Sequence, residues 1–334
     1  MAGMALEGIK VVEVTQWVAA PAAGALLADW GADVIHIEHP VRGDAMRGLT
    51  NVGGMGIDWL FELDNRNKKS VTLDISKEEG QAVLHRLVET GDVFITSLRP
   101  GELKRYNLEY RVLGKLNPGL IFASLTGYGR KGPDSEKRGY DVTAFWARAG
   151  FMASLREPDM PPVFPRGGMG DHTAAIALAC GITTALFSRE RTGLGQEVDV
   201  SLFNTGLWVL SIDMSCALAT GEYPPLRKRV DTPAMTNVYR TKDDRWIYFA
   251  HLQQDPYWQS FCRALDLPHL ENDGRYSALE SRIAHNAELF GIVEEAMAKH
   301  TMEEWKVILD EHGLIYSVAQ DAVDIVQDAQ ALAN

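Results

Sequence analysis

The chain of 334 residues is poor in cysteine and has no long uncharged apolar run. Its three cysteines are scattered, odd in number and without the spacing of a metal site, so free thiols in a reducing cytoplasm are the expected state. No stretch approaches the roughly 18 apolar residues of a membrane span. The first residues lack the basic and apolar regions of an export signal. These absences predict a cytoplasmic protein without a membrane segment.

Positive charge is also in deficit, with 33 basic against 45 acidic residues and a net charge of −12. Such a surface repels polyanions and argues against a nucleic-acid partner. It still permits a small anionic ligand, because a few local arginines can serve a phosphate group. The hydrophobic fraction of 46% is ordinary for a globular protein and allows an ample core.

The first part of the chain alternates apolar strand patterns with helical patterns. This alternation predicts an α/β fold, a doubly wound and mainly parallel sheet in a Rossmann-like large domain, residues 1–222. Beyond Pro224-Pro225 the residue pattern changes to that of a β-hairpin followed by helices. This pattern predicts a smaller α+β domain, residues 223–320. Residues 281–299 and residues 321–334 are each expected to form one helix, and residues 321–334 are expected to begin a linking segment. The predicted strands lie at residues 9–14, 33–38, 71–75, 92–97 and 120–125.

One carboxylate stands at a conspicuous place. Asp171 follows a glycine-rich turn, residues 166–170, and precedes a predicted helix, residues 172–190, that is small and apolar nearly all round. A carboxylate there faces free backbone N–H groups and the positive end of the helix dipole. By local pattern alone, Asp171 is either a simple N-cap or a functional group.

Motifs in the order of a known family decide between these alternatives. The chain resembles the family III CoA-transferases, a group that includes formyl-CoA transferase, the carnitine CoA-transferases and α-methylacyl-CoA racemase. The resemblance implies that Asp171 is a covalent nucleophile, with CoA exchanged between an acyl-CoA and a free acid. The motifs span most of the chain: Leu6-Glu7-Gly8, Trp30-Gly31-Ala32-Asp33, Asn67-Lys68-Lys69-Ser70, Arg99-Pro100-Gly101, Thr126-Gly127-Tyr128-Gly129, Gly170-Asp171 and Thr192-Gly193-Leu194-Gly195-Gln196.

The resemblance also implies a set of CoA contacts. Arg138 replaces a lysine that contacts CoA in formyl-CoA transferase, and Arg99 directly follows a predicted strand end, where open α/β sheets bind ligands. For each arginine the alternative is a solvated surface charge. The other positions that align with CoA contacts are Val18, His39, Leu73, Ser97, Leu98 and Arg105.

The pair Tyr140-Asp141 separates two chemistries within this family. The racemases carry a histidine where this chain has Tyr140, and tyrosine is a poor base at neutral pH because its ordinary pKa is near 10. Asp141 aligns with a glutamate near the transferase centre, or it is only the N-cap of a helix over residues 142–147. Transfer is therefore favoured over the two alternatives, an acyl-CoA racemase or isomerase and a catalytically silent CoA-binding protein.

Two stretches, residues 61–64 and 139–145, look most like the 2-hydroxyacid CoA-transferases. Val18 stands where formyl-CoA transferase has a glutamine, which predicts an apolar acyl pocket. Trp17, Phe145, Trp146 and Phe151 either line this pocket or belong to the core. The acids expected as substrates are therefore apolar, aromatic or 2-hydroxylated.

No tightly bound cofactor and no metal are expected; CoA takes part as a substrate. Residues 127–132 match GxGxxG but are followed by Pro133 and Asp134 rather than an apolar helix, so a dinucleotide site is not expected. His36, Glu38 and His39 alternate without completing a metal-binding set. The resemblance implies an interlocked homodimer. It also implies a return segment beyond residue 334, and the sequence leaves open whether this chain is shortened or lacks that segment.

Overall fold

The computed structural model describes residues 3–49 and 58–334. Met1 and Ala2, which belong to the N-terminal stretch considered for an export signal, lie outside the described residues. The chain divides into two compact units: Met1–Arg156 with Pro161–Pro224, and Glu157–Met160 with Pro225–Asn334. The domain limits predicted from the sequence stay a prediction, because contacts define a compact unit without showing that it folds independently.

The first unit is built on a six-stranded sheet in which every pairing is parallel. The strand order is β3-β2-β1-β4-β5-β6. Strands β2 and β3 therefore lie on one side of β1, and β4, β5 and β6 lie on its other side, as in doubly wound folds. This confirms the predicted α/β class. The strands are β1 Lys10–Val14, β2 Asp33–Glu38, β3 Lys69–Thr72, β4 Val93–Thr96, β5 Ile121–Thr126 and β6 Glu197–Ser201.

Alternate side chains of the central strands pack into two different hydrophobic cores, one on each face of the sheet. Val11 and Ile95 belong to the core on one face, whereas Val12 and Phe94 belong to the core on the other. Helices cover both faces, which explains why β4 and β5 read as continuous apolar runs. The helices are α1 Ala19–Asp29, α2 Trp59–Asn65, α3 Glu78–Glu89, α4 Pro100–Arg105, α5 Tyr110–Leu116, a π-helix Asp141–Arg148, α6 Phe151–Ser154, α7 Met169–Thr192, α8 Leu202–Val209 and α9 Ser211–Thr220.

The second unit holds an antiparallel three-stranded sheet, β7-β8-β9, and its own core around Trp305 and Tyr239. The predicted hairpin is confirmed, since β7 Val238–Arg240 pairs with β8 Trp246–Phe249. β9 Tyr316–Val318 completes the sheet. The helices are α10 Trp258–Ala264, α11 Leu279–Ala284, α12 Asn286–Met297, α13 Met302–Glu311, α14 Ala322–Ile325 and α15 Ala329–Ala333.

Two predicted helices of this unit are divided. Residues 281–299 were expected to form one helix but contain a break at His285, which ends α11. Residues 321–334 hold α14 and α15, because the Asp328 side chain accepts hydrogen bonds from the backbone N–H groups of Gln330 and Ala331 and starts a new helix there.

A helix that spans a membrane must be both long and apolar. Within residues 3–49 and 58–334, no single helix meets that requirement. The consecutive helices α8 and α9 meet it together, by length and composition only, and they are bent by 74° relative to each other.

Candidate active site

A cavity of about 1090 Å³ opens at the carboxyl ends of β1, β2, β4 and β5. Parallel strands place their following loops at this edge of the sheet, which is where open α/β folds bind ligands. All of its lining belongs to the first unit. The cavity is lined by residues 14–20, 37–39, 42, 43, 45, 46, 49, 59, 60, 64, 73, 75, 97–99, 102, 106, 125–127, 137–142, 167, 168, 171, 172 and 202.

Asp171 lies on this cavity, in the first turn of α7. The helix begins earlier than predicted, at Met169, with Gly168 as the N-cap residue in the left-handed conformation at φ 96°. A side chain would be strained at this φ, so the glycine sets the start of the helix. Asp171 is therefore the third helical residue, and the interpretation of Asp171 as an N-cap is wrong.

Asp141 takes over the capping of α7 from a distant part of the chain. Its Oδ2 accepts a hydrogen bond from the Gly168 N–H at 2.9 Å, and its Oδ1 accepts one from the Gly170 N–H at 2.8 Å. A Cβ on Gly170 would lie only 2.4 Å from Asp141 Oδ1, so only glycine permits this approach. Asp141 itself is the first residue of the π-helix, whose N-cap is Tyr140.

This arrangement corrects two expectations. Asp141 is not the N-cap of its own helix; it satisfies the unpaired N–H groups of another. The mouth of helix α7 was also expected to present free backbone N–H groups. The N–H groups of Gly168 and Gly170 are already donated to Asp141, so that expectation is wrong for these two groups.

The carboxylates around Asp171 change its acidity. Burial, together with the negative charges of Asp141 and Asp64, raises the pKa of Asp171 to about 7. Burial also raises the pKa of Asp141, although the hydrogen bonds from Gly168 and Gly170 oppose the change. The residues that the structure describes donate no hydrogen bond to the Asp171 carboxylate. Asp171 is thus a partly desolvated carboxylate held at the surface of a cavity.

His172 and Asp64 complete the cluster, and sequence reasoning missed both. His172 Nε2 lies 3.1 Å from Oδ1 of Asp64, a buried residue of α2. This hydrogen bond raises the pKa of His172. The position of His172 directly after Asp171 was the available signal. The partner, 108 residues earlier in the chain, could be found only in the fold.

Most of the predicted CoA contacts meet at this cavity. Seven of the eight positions line it: Val18, His39, Leu73, Ser97, Leu98, Arg99 and Arg138. Arg105 is not among the lining residues; it is exposed, with its guanidinium 5.5 Å from the ring of Tyr106, which does line the cavity.

The two lining arginines differ in what already binds them. The Arg99 guanidinium donates to both carboxylate oxygens of Glu102, at 3.1 and 2.8 Å, and to the backbone carbonyl of Glu136 at 3.1 Å. Its N–H groups are therefore largely committed within the protein. Arg138 is exposed on the cavity wall. Arg138 is thus the better placed of the two to meet an incoming anion.

The aromatic residues separate into wall and core. Trp17 lines the cavity at φ 70°, an unusual conformation for a residue with a side chain, and meets Tyr140 edge to face at 5.7 Å. Phe145, Trp146 and Phe151 are buried in the core, where Phe145 and Phe151 stack at 4.5 Å. The structure therefore decides for the core at these three positions. Apolar lining of the cavity that includes Trp17 comes instead from Val18, Met46, Leu49, Trp59 and Leu60, among others.

A second group of charges lies buried nearby. Glu13 Oε1 is 2.7 Å from Lys68 Nζ and 2.7 Å from His36 Nδ1. His36 Nε2 lies 3.4 Å from Asp44 Oδ2. Burial alone would raise the pKa of Glu13, but Lys68 and His36 lower it. Burial would lower the pKa of His36, but Asp44 and Glu13 raise it to about 9.

Two motifs considered for other ligands have structural partners instead. His36 is bound as above, and Glu38 accepts hydrogen bonds from Arg47 and Ser70. Within the described residues no group of three or more His, Cys, Asp or Glu side chains could hold a metal ion. Gly132 is the last glycine of the GxGxxG match, and no helix starts there. The chain forms turns and irregular structure from Gly132 until the π-helix begins at Asp141.

Comparison with known proteins gives consistent matches. The model of "CoA-transferase family III" matches residues 6–334. The chain is 38% identical to the (R)-2-hydroxy-4-methylpentanoate CoA-transferase of Clostridioides difficile, over 99% of this chain and 84% of that protein. It is 35% identical to the cinnamoyl-CoA:phenyllactate CoA-transferase of Clostridium sporogenes, over 98% of this chain and 81% of that protein. A CAIB/BAIF family protein from Brucella suis has the same fold, with a TM-score of 0.89 and 30% identity over 99% of this chain and 88% of that one.

Proposed function

The chain belongs to the family III CoA-transferases, and we propose that it transfers CoA from an acyl-CoA to an apolar, aromatic or 2-hydroxylated acid through covalent intermediates on Asp171. The observation that carries the proposal is the position of this carboxylate. Asp171 lies on a cavity at the carboxyl edge of the sheet, and its pKa is raised to about 7 by burial and by Asp141 and Asp64. A desolvated carboxylate is a stronger nucleophile than a hydrated one.

The first half of the proposed reaction opens the thioester. The ionised Asp171 attacks the acyl carbonyl, the C–S bond breaks, and a mixed anhydride and the CoA thiolate result. The thiolate then attacks the Asp171 carbonyl of the anhydride, giving an aspartyl-CoA thioester and releasing the donor acid as a carboxylate. No proton or water is consumed.

The second half runs the same two steps in reverse. The acceptor carboxylate attacks the aspartyl-CoA thioester and expels the thiolate, and the thiolate attacks the acyl carbonyl of the new anhydride. The products are a new acyl-CoA and free Asp171. Every bond that forms or breaks involves Asp171, the thiol or a carboxylate, so CoA takes part as a substrate and no bound cofactor is required. Asp141 acts as a positioning residue, because it holds the first turn of α7 through Gly168 and Gly170.

For CoA recognition, Arg138 is proposed as the principal anion-binding side chain. It is exposed on the cavity wall, whereas Arg99 is held by Glu102 and Arg105 lies outside the lining. We expect Arg138→Ala to raise the KM for acyl-CoA about tenfold to a hundredfold, because a charge-assisted hydrogen bond contributes about 1.5–3 kcal/mol. Arg111→Ala serves as the control, since Arg111 is exposed, pairs with Glu109 and does not line the cavity. A similar increase in the KM for the free acid would contradict this assignment.

The acid substrate is proposed from the apolar residues that line the same cavity as Asp171. Each methylene buried against such a lining contributes about 0.8 kcal/mol, so a branched six-carbon acid is expected to compete better than formate. Oxalate gains nothing there, because its second charge would need a paired cation. The names of the relatives from Clostridioides difficile and Clostridium sporogenes, which act on 2-hydroxy-4-methylpentanoate and phenyllactate, support the same choice.

A second copy of the chain is the proposed protein partner, in an interlocked homodimer. Large apolar side chains are exposed on the last helices of the first unit: Trp208 at 78%, Ile212 at 84% and Leu218 at 89%. Several large apolar side chains exposed on consecutive helices are typical of a protein interface. A monomeric mass by light scattering at micromolar concentration would contradict this part of the proposal.

The proposal is tested by measuring transfer and trapping the intermediate. The protein is incubated with an acyl-CoA and equal concentrations of 2-hydroxyisocaproate, phenyllactate, cinnamate, formate and oxalate, and the acyl-CoA products are measured by mass spectrometry. Hydroxylamine added during turnover should mark the peptide that contains Asp171. Glu79→Gln, which removes the charge of an exposed carboxylate of α3, is the control for variants of Asp171 and should behave like the wild type.

The remaining alternatives give different results in the same experiment. A racemase would exchange the α-proton of the acyl-CoA with deuterated water and would need no acceptor acid. A silent CoA-binding protein would bind acyl-CoA without forming product. Preference for formate or oxalate would contradict the substrate class and leave the role of Asp171 standing.

A further inference from the structure

His172 and Asp64 share the cavity with Asp171 but have no part in the covalent steps above. His172 Nε2 lies 3.1 Å from Asp64 Oδ1. Asp64 is buried, and its Oδ2 has no hydrogen-bond partner among the described residues. The hydrogen bond to Asp64 raises the pKa of His172, because a carboxylate at this distance favours the imidazolium. The pair therefore favours a cationic ring fixed at the cavity wall.

The orientation of the ring leaves one nitrogen for a ligand. Nε2 is committed to Asp64, so Nδ1 is the nitrogen that remains. It lies 3.8 Å from the point where a Cβ on Gly168 would stand, at the mouth of α7. Both Gly168 and His172 line the cavity, and the His172 side chain is 45% exposed. In the protonated ring Nδ1 carries a hydrogen and can donate it.

The charges facing this ring come from three elements. They are Asp64 on α2, Asp171 on the same helix as His172, and Asp141 on the π-helix. His172 is the cation that acts on Asp171. The cluster thus holds three carboxylates and one imidazole, and its net charge repels any further anion.

The proposed reaction nevertheless requires a further anion at this place. The donor acid leaves as a carboxylate, and the acceptor acid arrives as one, next to the Asp171 carbonyl. When Asp171 carries CoA its own charge is gone, while the charges of Asp141 and Asp64 remain. A fixed cation beside Asp171 is what lets an acid approach to bonding distance.

We propose that His172 binds the carboxylate of the free acid substrate through Nδ1–H, and that Asp64 is the positioning residue that keeps this imidazole oriented and protonated. The inference rests on the proposed function, because it assigns a role within the Asp171 reaction. It names the acid, rather than CoA, as the ligand of this pair.

The test separates the acid from the acyl-CoA. In His172→Gln we expect the KM for the acceptor acid at neutral pH to rise about tenfold to a hundredfold, the value of one charge-assisted hydrogen bond. The KM for acyl-CoA should change less than about threefold, and product inhibition by the donor acid should weaken in parallel. Asp64→Asn should produce the same split to a smaller degree, because asparagine still accepts a hydrogen bond but does not favour the imidazolium. His172→Lys should recover part of the acid affinity.

Two controls make the outcome specific. His85→Gln, a histidine of α3 whose Nε2 lies 3.3 Å from the Asn107 carbonyl, should leave both KM values unchanged. Hydroxylamine trapping with acyl-CoA alone, at a pH well above the Asp171 pKa of about 7, should still mark the Asp171 peptide in His172→Gln. An unchanged KM for the acid in His172→Gln, or an equal rise in both KM values, would overturn the role of His172. Absence of the mark in the wild type would instead refute the covalent mechanism itself.

Discussion

Two clusters of charge in the first unit each combine carboxylates with a histidine, and they behave in opposite ways. In one, Glu13 lies between Lys68 and His36, and these cations lower its pKa. In the other, Asp171 lies near Asp141 and Asp64, and its pKa rises to about 7. The first cluster is compensated and ties strands to the loops beside them. The second is short of positive charge and opens onto a cavity.

The difference indicates which buried carboxylates serve folding and which serve chemistry. A compensated pair stabilises the folded state only if both partners stay, because removing one leaves an unpaired buried charge. An uncompensated carboxylate costs free energy of folding, and it is retained where the charge is used on a substrate. The comparison therefore predicts opposite responses to mutation in the two clusters.

The largest effect is expected from Asp171→Ala. Removing the nucleophile should lower kcat for CoA transfer by about 10⁴-fold or more. The melting temperature should not fall, because the described residues donate no hydrogen bond to this carboxylate. A kcat within tenfold of the wild-type value would contradict a covalent role for Asp171.

Lys68→Met should give the opposite result in the compensated cluster. The Lys68 side chain is only 2% exposed, and its loss leaves the Glu13 carboxylate with His36 alone. We expect a decrease of about 3–5 kcal/mol in the free energy of unfolding. Lys69→Met is the matched control, because the neighbouring Lys69 is 69% exposed and its pairing with Asp33 is worth less than about 1 kcal/mol. Urea denaturation of the two variants measures the difference, and similar losses would contradict it.

His36→Gln should destabilise the protein in a pH-dependent manner. The pKa of His36 in the folded state is about 9, above the ordinary 6.5, so its charge contributes stability fully below 6.5 and loses it as the pH rises through 9. We expect a loss of about 2–3 kcal/mol near neutral pH, which decreases as the pH rises from 6.5 towards 9 and is small above pH 9. Denaturation curves at several pH values give this profile. A loss that is independent of pH would show that His36 acts through packing alone.

The smallest effect has the opposite sign. The pKa of Asp171 is raised from 3.8 to about 7, so the ionised group destabilises the fold increasingly between these values and fully above the upper one. Asp171→Asn should therefore stabilise the protein by about 1–2 kcal/mol above pH 7, a value reduced by partial solvation, and by little near pH 4. Thermal denaturation at both pH values measures this gain. A lower melting temperature at neutral pH would place Asp171 among the structural charges.

Much of the fold and part of the site follow from the sequence. The alternation of apolar strands and helices predicted a parallel doubly wound sheet because each strand of such a sheet is buried on both faces, and β4 and β5 are. The predicted start of α7 was too late because the pattern assigned Gly168 to a glycine-rich turn, whereas Gly168 is the N-cap of the helix. The division of the last helices was missed because Asp328 caps a new helix through a side chain, which periodicity does not register.

The sequence by itself determined the fold class of the large unit, the candidate Asp171 and seven CoA-contact positions that line the cavity, because these depend on local pattern and motif order. Only the tertiary structure decided how those residues act on one another. Asp141 caps α7 across 29 positions of sequence, and His172 meets Asp64 across 108. Electrostatic and hydrogen-bonding interactions depend on distance in space, and chain folding alone sets that distance.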